Sequence, residues 1–272
     1  MENFTTIIKF ILLGLIQGFT EPLPISSSGH SVLMKEFLNV STPALSLEIV
    51  THFGSLVAIM FLFRHDIFRL IDESRLFLFK KEKQFQKKFI YLCLLLLATT
   101  VTGIIGLYLE PIITNQLSAI IFVGMALIIT GLLVWIIRHL NGNKYDEDVT
   151  IRDSLTIGIA QAFALLPGIS RSGITVIAAL LLGFERKTAI KFSFLLFIPV
   201  TAGTILLSIN DFIHDEKIIA LFIPYLLAFL SSIIATYFAL KWFIHLLTKG
   251  YIHIFTYYCV ILGFFIVLKE LL

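Results

Sequence analysis

Charged residues are scarce in this chain: Asp, Glu, Lys and Arg make up 14% of its 272 residues. A water-soluble domain carries about 25%. With 58% hydrophobic residues and a mean hydropathy of +0.95, a soluble globule is excluded. Cysteine is nearly absent, and Cys93 and Cys259 both fall in apolar stretches, so neither a disulfide framework nor a thiolate metal cluster is expected. No Walker loop, HExxH pair or dinucleotide fingerprint occurs. The alternating pattern of a membrane β-strand is missing too, which leaves helices as the spanning elements. Lys9 followed by apolar residues imitates a signal peptide, but no small-residue cleavage motif follows and the N-terminus is expected to be retained. The net charge of +3 gives no reason to expect a nucleic-acid partner, because basic residues beside membrane spans encode orientation.

Long uncharged runs are what the chain has in abundance. Stretches 89–109, 111–137, 192–210 and 218–240 contain no Asp, Glu, Lys or Arg, and 44–63 and 251–268 are almost as apolar. About 20 such residues cross a hydrocarbon layer about 30 Å thick. Between Arg64 and Lys88, eight Lys or Arg stand against four acids, which marks 64–88 as a cytoplasmic basic loop. The basic residues Arg138, Lys144 and Arg152, and again Arg186, Lys187 and Lys191, read as cytoplasmic as well. Residues 153–184 must then enter and leave by one face, and residues 4–35 by the opposite face. Within 4–35 the uncharged run 10–20 is short and is followed by Pro22 and Pro24; within 153–184, Pro167-Gly168 precedes a short run, 172–184. Neither piece is long enough to span. The expected fold is an all-α polytopic membrane protein, a single domain over 1–272. It has about six full spans plus two re-entrant helix-loop-helix hairpins, in an inverted-topology repeat of roughly 1–140 and 145–272.

The two hairpins share a sequence. Pro24-Ile25-Ser26-Ser27-Ser28-Gly29-His30 returns 144 residues later as Gly168-Ile169-Ser170-Arg171-Ser172-Gly173-Ile174. With Gly14, Gln17 and Phe19 matching Gly158, Gln161 and Phe163, positions 14–31 give seven identities. Chance gives about one or two. Where the copies differ, the first offers Glu21, Ser27 and His30 and the second Leu165, Arg171 and Ile174.

An Arg at membrane depth costs about 2.5–3.5 kcal/mol by insertion scales and calls for an anionic partner. Arg171, with Ser170, Ser172, Thr175 and the backbone of Gly168 and Gly173 at a helix start, suits a phosphate; the Glu21 carboxylate is the structural alternative. Gln17 and Glu21 are four apart and project from one helix face towards Ser26, Ser27 and Ser28, a set of oxygens that suits a hard divalent cation bridging phosphate oxygens. His30 can act as general acid or base and a neighbouring Ser as nucleophile. Glu48 and His52, one turn apart in a span, read equally as proton or metal auxiliaries and as a structural pair.

The strings Gln17-Gly18-Phe19-Thr20-Glu21-Pro22-Leu23-Pro24-Ile25-Ser26-Ser27-Ser28-Gly29-His30 and Leu166-Pro167-Gly168-Ile169-Ser170-Arg171-Ser172-Gly173-Ile174-Thr175 resemble the bacterial undecaprenyl-diphosphate phosphatase family, also called bacitracin-resistance proteins. Gln17 stands where the family admits Glu or Gln, and Pro22 where a bulky apolar residue is common. The resemblance implies hydrolysis of undecaprenyl diphosphate to undecaprenyl phosphate and phosphate, recycling the carrier lipid for cell-wall synthesis. It also implies dependence on a divalent cation (Mg²⁺ or Ca²⁺), a multi-pass protein of the bacterial plasma membrane and an active site open to its outer face. Arg171 with Ser26, Ser28, Gly168, Ser170, Ser172 and Thr175 would hold the diphosphate, Gln17 and Glu21 the metal, and Glu21, Ser27 and His30 would carry the reaction, the nucleophile being Ser27, His30 or water. Besides the polyprenyl diphosphate lipid and the bilayer, a second copy of the chain is an expected partner. The competing expectation is a transporter or flippase for a phosphorylated lipid or anion, since opposed re-entrant hairpins also serve transport; a lipid-binding scaffold is a third.

Overall fold

The structure is a computed structural model that describes residues 4–38, 44–116, 120–214 and 217–271. Among the described residues the regular secondary structure is helix alone, with a lone backbone bridge between Lys144 and Phe184 in place of any sheet. The helices are α1 (Phe4–Thr20), α2 (Ser27–Leu38), α3 (Ala44–Leu62), α4 (Arg64–Lys80), α5 (Gln86–Gln116), α6 (Ile120–Ile137), α7 (Ile151–Ala162), α8 (Arg171–Leu181), α9 (Arg186–Ile213), α10 (Phe222–Lys249) and α11 (His253–Leu271). Five of them, α5, α6, α9, α10 and α11, are long and apolar enough to cross a membrane, and α3 with α4 forms a sixth candidate bent by 71°.

Two expectations need correcting. The basic stretch 64–88 is not a loop, because α4 occupies most of it and leaves α3 at Phe63. The uncharged stretch 111–137 is not one span, because its first residues continue α5 as helix to Gln116 and α6 begins at Ile120.

In lipid, apolar side chains gain little by leaving the solvent for one another, so helices associate through small residues and interhelical hydrogen bonds. α1 lies on α10, α3 on α10 and α9, α5 on α7 and α9, and α6 on α11. A Cβ added at Gly14 or Gly18 of α1 would run into the backbone of α10 at Ala228 or Ser232. The same seam is laced by hydroxyls: Thr236 donates to the Gly18 carbonyl at 2.9 Å, Ser232 to the Thr51 carbonyl at 2.7 Å, and Ser55 lies 2.9 Å from the Thr236 hydroxyl. Such bonds average about 0.6 kcal/mol each in membrane helices. Phe63 stacks on Phe194, which meets Phe243 edge-on, in a buried aromatic core. Leu206, Leu207, Phe238, Phe264 and Phe265 point outward from the long helices, as lipid-facing surface should.

Candidate functional site

α1 ends at Thr20, and α7 ends at Ala162 with one 3-10 turn, Phe163–Leu165, beyond it; each then gives way to a non-helical break that contains proline. Each break then starts a new helix in the same way. The Ser26 hydroxyl accepts the Gly29 N–H at 3.2 Å, and the Ser170 hydroxyl accepts the Gly173 N–H at 3.1 Å. The repeated Ser-x-x-Gly is thus a pair of matching N-caps for α2 and α8. Ser26 adopts φ +65°, a left-handed conformation that costs a non-glycine residue about 1–3 kcal/mol. In the other copy Gly168 takes the positive φ, +97°, and a Cβ there would meet Ala126 and the Val123 carbonyl at 2.7 Å.

The breaks pack on each other reciprocally. A Cβ on Gly29 would sit 3.4 Å from Gly168 Cα, and a Cβ on Gly173 would sit 2.9 Å from Pro24 Cβ. Gly29 corresponds to Gly173 and Pro24 to Gly168 in the sequence repeat, so each contact is the other with the copies exchanged. Hydroxyls of the second break then fasten the first: Ser170 donates to the Leu23 carbonyl and Ser172 to the Glu21 carbonyl, both at 2.9 Å.

A cavity of about 210 Å³ opens where the two capped helix starts converge. Glu21, Ser27 and Ser28 line it from the first break, Arg171 from the second, Glu48 and His52 from α3, and Thr201, Thr204 and Ser208 from α9. Ser27 and Arg171 hold equivalent positions, each the first residue of its helix, so the alternated residue of the repeat faces the cavity from both sides. Glu21 is buried at 4% exposure and accepts the Gln17 amide at 2.6 Å, while His52 Nδ1 lies 3.4 Å from its Oε2. The Ser27 hydroxyl faces the Glu21 carboxylate, and the Arg171 guanidinium attracts that carboxylate electrostatically. Arg171 donates to Thr201 Oγ1 at 3.2 Å and lies 5.9 Å over the Phe197 ring.

Several candidates stand elsewhere. Ser26, Ser170 and Ser172 are buried and used as caps and staples, and Thr175 donates back to the Arg171 and Ser172 carbonyls at 3.2 Å. Gly168 gives its carbonyl to Thr130 at 3.2 Å. Gln17 accepts from Ser31 at 2.6 Å and donates to Glu21, so it braces the carboxylate and offers the cavity no oxygen. His30 has both ring nitrogens engaged, Nδ1 with the Ser26 carbonyl at 2.8 Å and Nε2 with the Tyr258 hydroxyl at 2.6 Å; it borders an apolar groove formed with α10 and α11 instead. Two physical reasons act: Ser26 and Ser170 are turned inward as N-caps, and helix positions such as Gln17, His30, Ser172 and Thr175 point away from the cavity because consecutive helix residues are about 100° apart.

Sequence reasoning missed Thr201, Thr204 and Ser208. Their signal was available as a polar stripe at i, i+3 and i+7 in an otherwise uncharged span.

These features define a helical, multi-pass membrane protein with a small ionisable cavity at the junction of two repeated, capped helix starts. Its sequence matches the family model described as bacitracin resistance protein BacA over residues 10–265. Among curated relatives, the chain is 43% identical over 263 residues to undecaprenyl-diphosphatase 2 of Bacillus thuringiensis, covering 97% of each chain. It is 43% identical over 268 residues to undecaprenyl-diphosphatase of Oceanobacillus iheyensis, covering 96% of each, and 42% identical over 262 residues to undecaprenyl-diphosphatase 1 of Halalkalibacterium halodurans, again covering 96% of each. The chain belongs to the bacitracin resistance protein BacA family.

Proposed function

We propose that this protein hydrolyses undecaprenyl diphosphate to undecaprenyl phosphate and inorganic phosphate, recycling the carrier lipid of cell-wall synthesis and conferring resistance to bacitracin. The observation that carries the reading is the meeting of Glu21, Ser27 and Arg171 on one cavity at two converging helix starts. The names of the relatives point to the same reaction.

Two helix N-termini aim their positive ends at the cavity, and Arg171 adds a fork-shaped cation that its bond to Thr201 holds in place. This is a receptor for a diphosphate. The Ser27 oxygen attacks the terminal phosphorus, its proton passes to the facing Glu21 carboxylate, and the bond to the bridging oxygen breaks to release undecaprenyl phosphate. Water then attacks the phosphoserine phosphorus, Glu21 returns its proton to the departing Ser27 oxygen, and inorganic phosphate leaves carrying both protons of the water. Arg171 neutralises the charge that spreads over the phosphoryl oxygens, and Gln17 and His52 fix the Glu21 carboxylate against rotation. His30 supports the Ser26 backbone and so the geometry of Ser27 rather than exchanging protons with the lipid.

No group of three or more His, Cys, Asp or Glu side chains able to hold a metal ion occurs among the described residues. A small hard cation does not need one, since Mg²⁺ takes one or two carboxylates and completes its shell with phosphate and water. Glu21 and Glu48 line the cavity together and fit that demand. Bound there, Mg²⁺ or Ca²⁺ would neutralise phosphate charge alongside Arg171.

The hairpins are read as re-entrant and the halves as an inverted repeat. The reciprocal contacts of Gly29 and Gly173 support this, as does the packing of α1 on α10 and of its counterpart α7 on α5. The cavity is read as opening outward. Ser208 lies 22 residues along α9 from basic Arg186, about 33 Å at 1.5 Å per residue, and Glu48 lies 16 residues before Arg64, about 24 Å away. Both are far from the basic, cytoplasmic ends of their helices.

The test is phosphate release from a prenyl diphosphate by purified protein in detergent, with and without a chelator. Wild type should release phosphate and lose activity with the chelator, and Arg171→Ala should fall by at least about 10²-fold. Near-normal release by Arg171→Ala would sink the assignment. No release by wild type would favour a transporter or flippase for a phosphorylated lipid or anion, which needs two compartments to act.

A further inference from the structure

Helix α4 has three distinct faces. Its packed face holds Leu70 and Ser74, both buried, with Phe77 5.2 Å from Phe89 of α5 and Asp66 paired to Lys191 of α9 at 2.9 Å. Beside it, Phe68, Ile71, Leu78 and Phe79 are 71%, 55%, 52% and 82% exposed. At 3.6 residues per turn these four share an arc about 100° wide, while Glu73 and Lys80 fall on the opposite side. Arg64 and Arg75 sit within the apolar arc, and Lys80, Lys81 and Lys83 follow at the helix end.

The helix is too charged to cross a bilayer, and the 71° bend after α3 turns it off the path of the span. It starts where α3 ends, and its Phe77 packs on Phe89 near the start of α5; the ends of apolar spans lie where the hydrocarbon layer gives way to headgroups. Apolar side chains exposed there reach acyl chains, and long basic stems beside them reach phosphate headgroups. Eight Lys or Arg against four acids over 64–88 match a negatively charged leaflet.

We propose that α4 is a membrane-surface helix that inserts Phe68, Ile71, Leu78 and Phe79 below the headgroups and gathers anionic lipid around Lys80, Lys81 and Lys83, Arg75 being paired to Asp72 at 2.7 Å and Arg64 bonded to the Phe61 carbonyl at 2.8 Å. The inference is independent of the phosphatase reaction. It turns the basic segment from a passive orientation signal into a lipid-binding site.

The experiment uses full-length protein in which Trp135→Phe and Trp242→Phe remove both native indoles and Phe79→Trp adds one on α4. It is reconstituted in equal mixtures of phosphatidylglycerol and phosphatidylcholine, with bromine carried high on the acyl chains of one lipid or of the other. Brominated phosphatidylglycerol should quench the new indole about twofold more strongly than brominated phosphatidylcholine, because basic residues concentrate anionic lipid near the helix. Adding Lys80→Gln, Lys81→Gln and Lys83→Gln should bring the ratio towards one. Absence of quenching, which a water-exposed helix or one covered by a protein partner would give, overturns the proposal, and so does equal quenching by the two lipids before the lysines are replaced. Phe68→Trp in the same background reads the same arc from a second position and guards against local disruption by the first.

Discussion

The two polar breaks begin alike and end in different roles. In each, a serine caps a short helix through a glycine three residues on, and in each the residue after that serine faces the cavity. The first break fills that position with Ser27 and adds Glu21, whereas the second fills it with Arg171 and has Leu165 at the position equivalent to Glu21. Shared residues build backbone, and changed residues carry chemistry. Identity between the copies at the capping Ser and Gly marks the scaffold, and difference at Ser27/Arg171 and Glu21/Leu165 marks the reaction, whereas His30 differs from Ile174 and yet serves the scaffold.

The largest effects should come from residues that the copies do not share and that face the cavity. Ser27→Ala should lower kcat for phosphate release by about 10³-fold or more, while His30→Gln, at a site turned away from the cavity, should lower it far less and chiefly reduce thermal stability. Rates and unfolding midpoints measured side by side separate the two, and the reverse order would move the nucleophile to His30. Next, Arg171→Lys should recover only part of the activity lost in Arg171→Ala, since a point charge cannot make the forked contact; full recovery would reduce the role of Arg171 to simple charge. Smaller still, Ser26→Ala and Ser170→Ala should each cost about 1 kcal/mol of stability through a lost cap. Ser170→Ala should cost more of the two, because its hydroxyl also donates to Leu23; equal losses in denaturation midpoint would mean that the staple contributes nothing. At the small end, Gly29→Ala and Gly173→Ala meet neighbours at 3.0 and 2.9 Å and should produce similar, modest losses. A large disparity between them would break the equivalence of the copies.

Much of this architecture was legible from the chain. Scarce charge and long uncharged runs required membrane helices, and the prolines after Thr20 and Ala162 marked where α1 and α7 stop. The spacing of Gln17 and Glu21 placed both on one face, and they meet at 2.6 Å. What spacing could not supply was direction around short helices whose neighbours were unknown. Ser170 and Ser172 looked like phosphate donors because nothing in sequence marks the Leu23 and Glu21 carbonyls as acceptors 147 and 151 residues away. His30 looked central for the same reason, since Tyr258, its partner, lies 228 residues further on. α4 was read as loop because charge was counted there for orientation and its apolar arc was overlooked.

The staples from Ser170 and Ser172 also set an order of events during synthesis. Until the second break has emerged, the Leu23 and Glu21 carbonyls lack those donors, so the N-terminal half alone holds its acid and its hydroxyl in an unfinished frame. Separately produced halves would regain a competent centre only by finding each other, and a chain cut short before Ser170 would carry the reacting groups without the clasp that aims them.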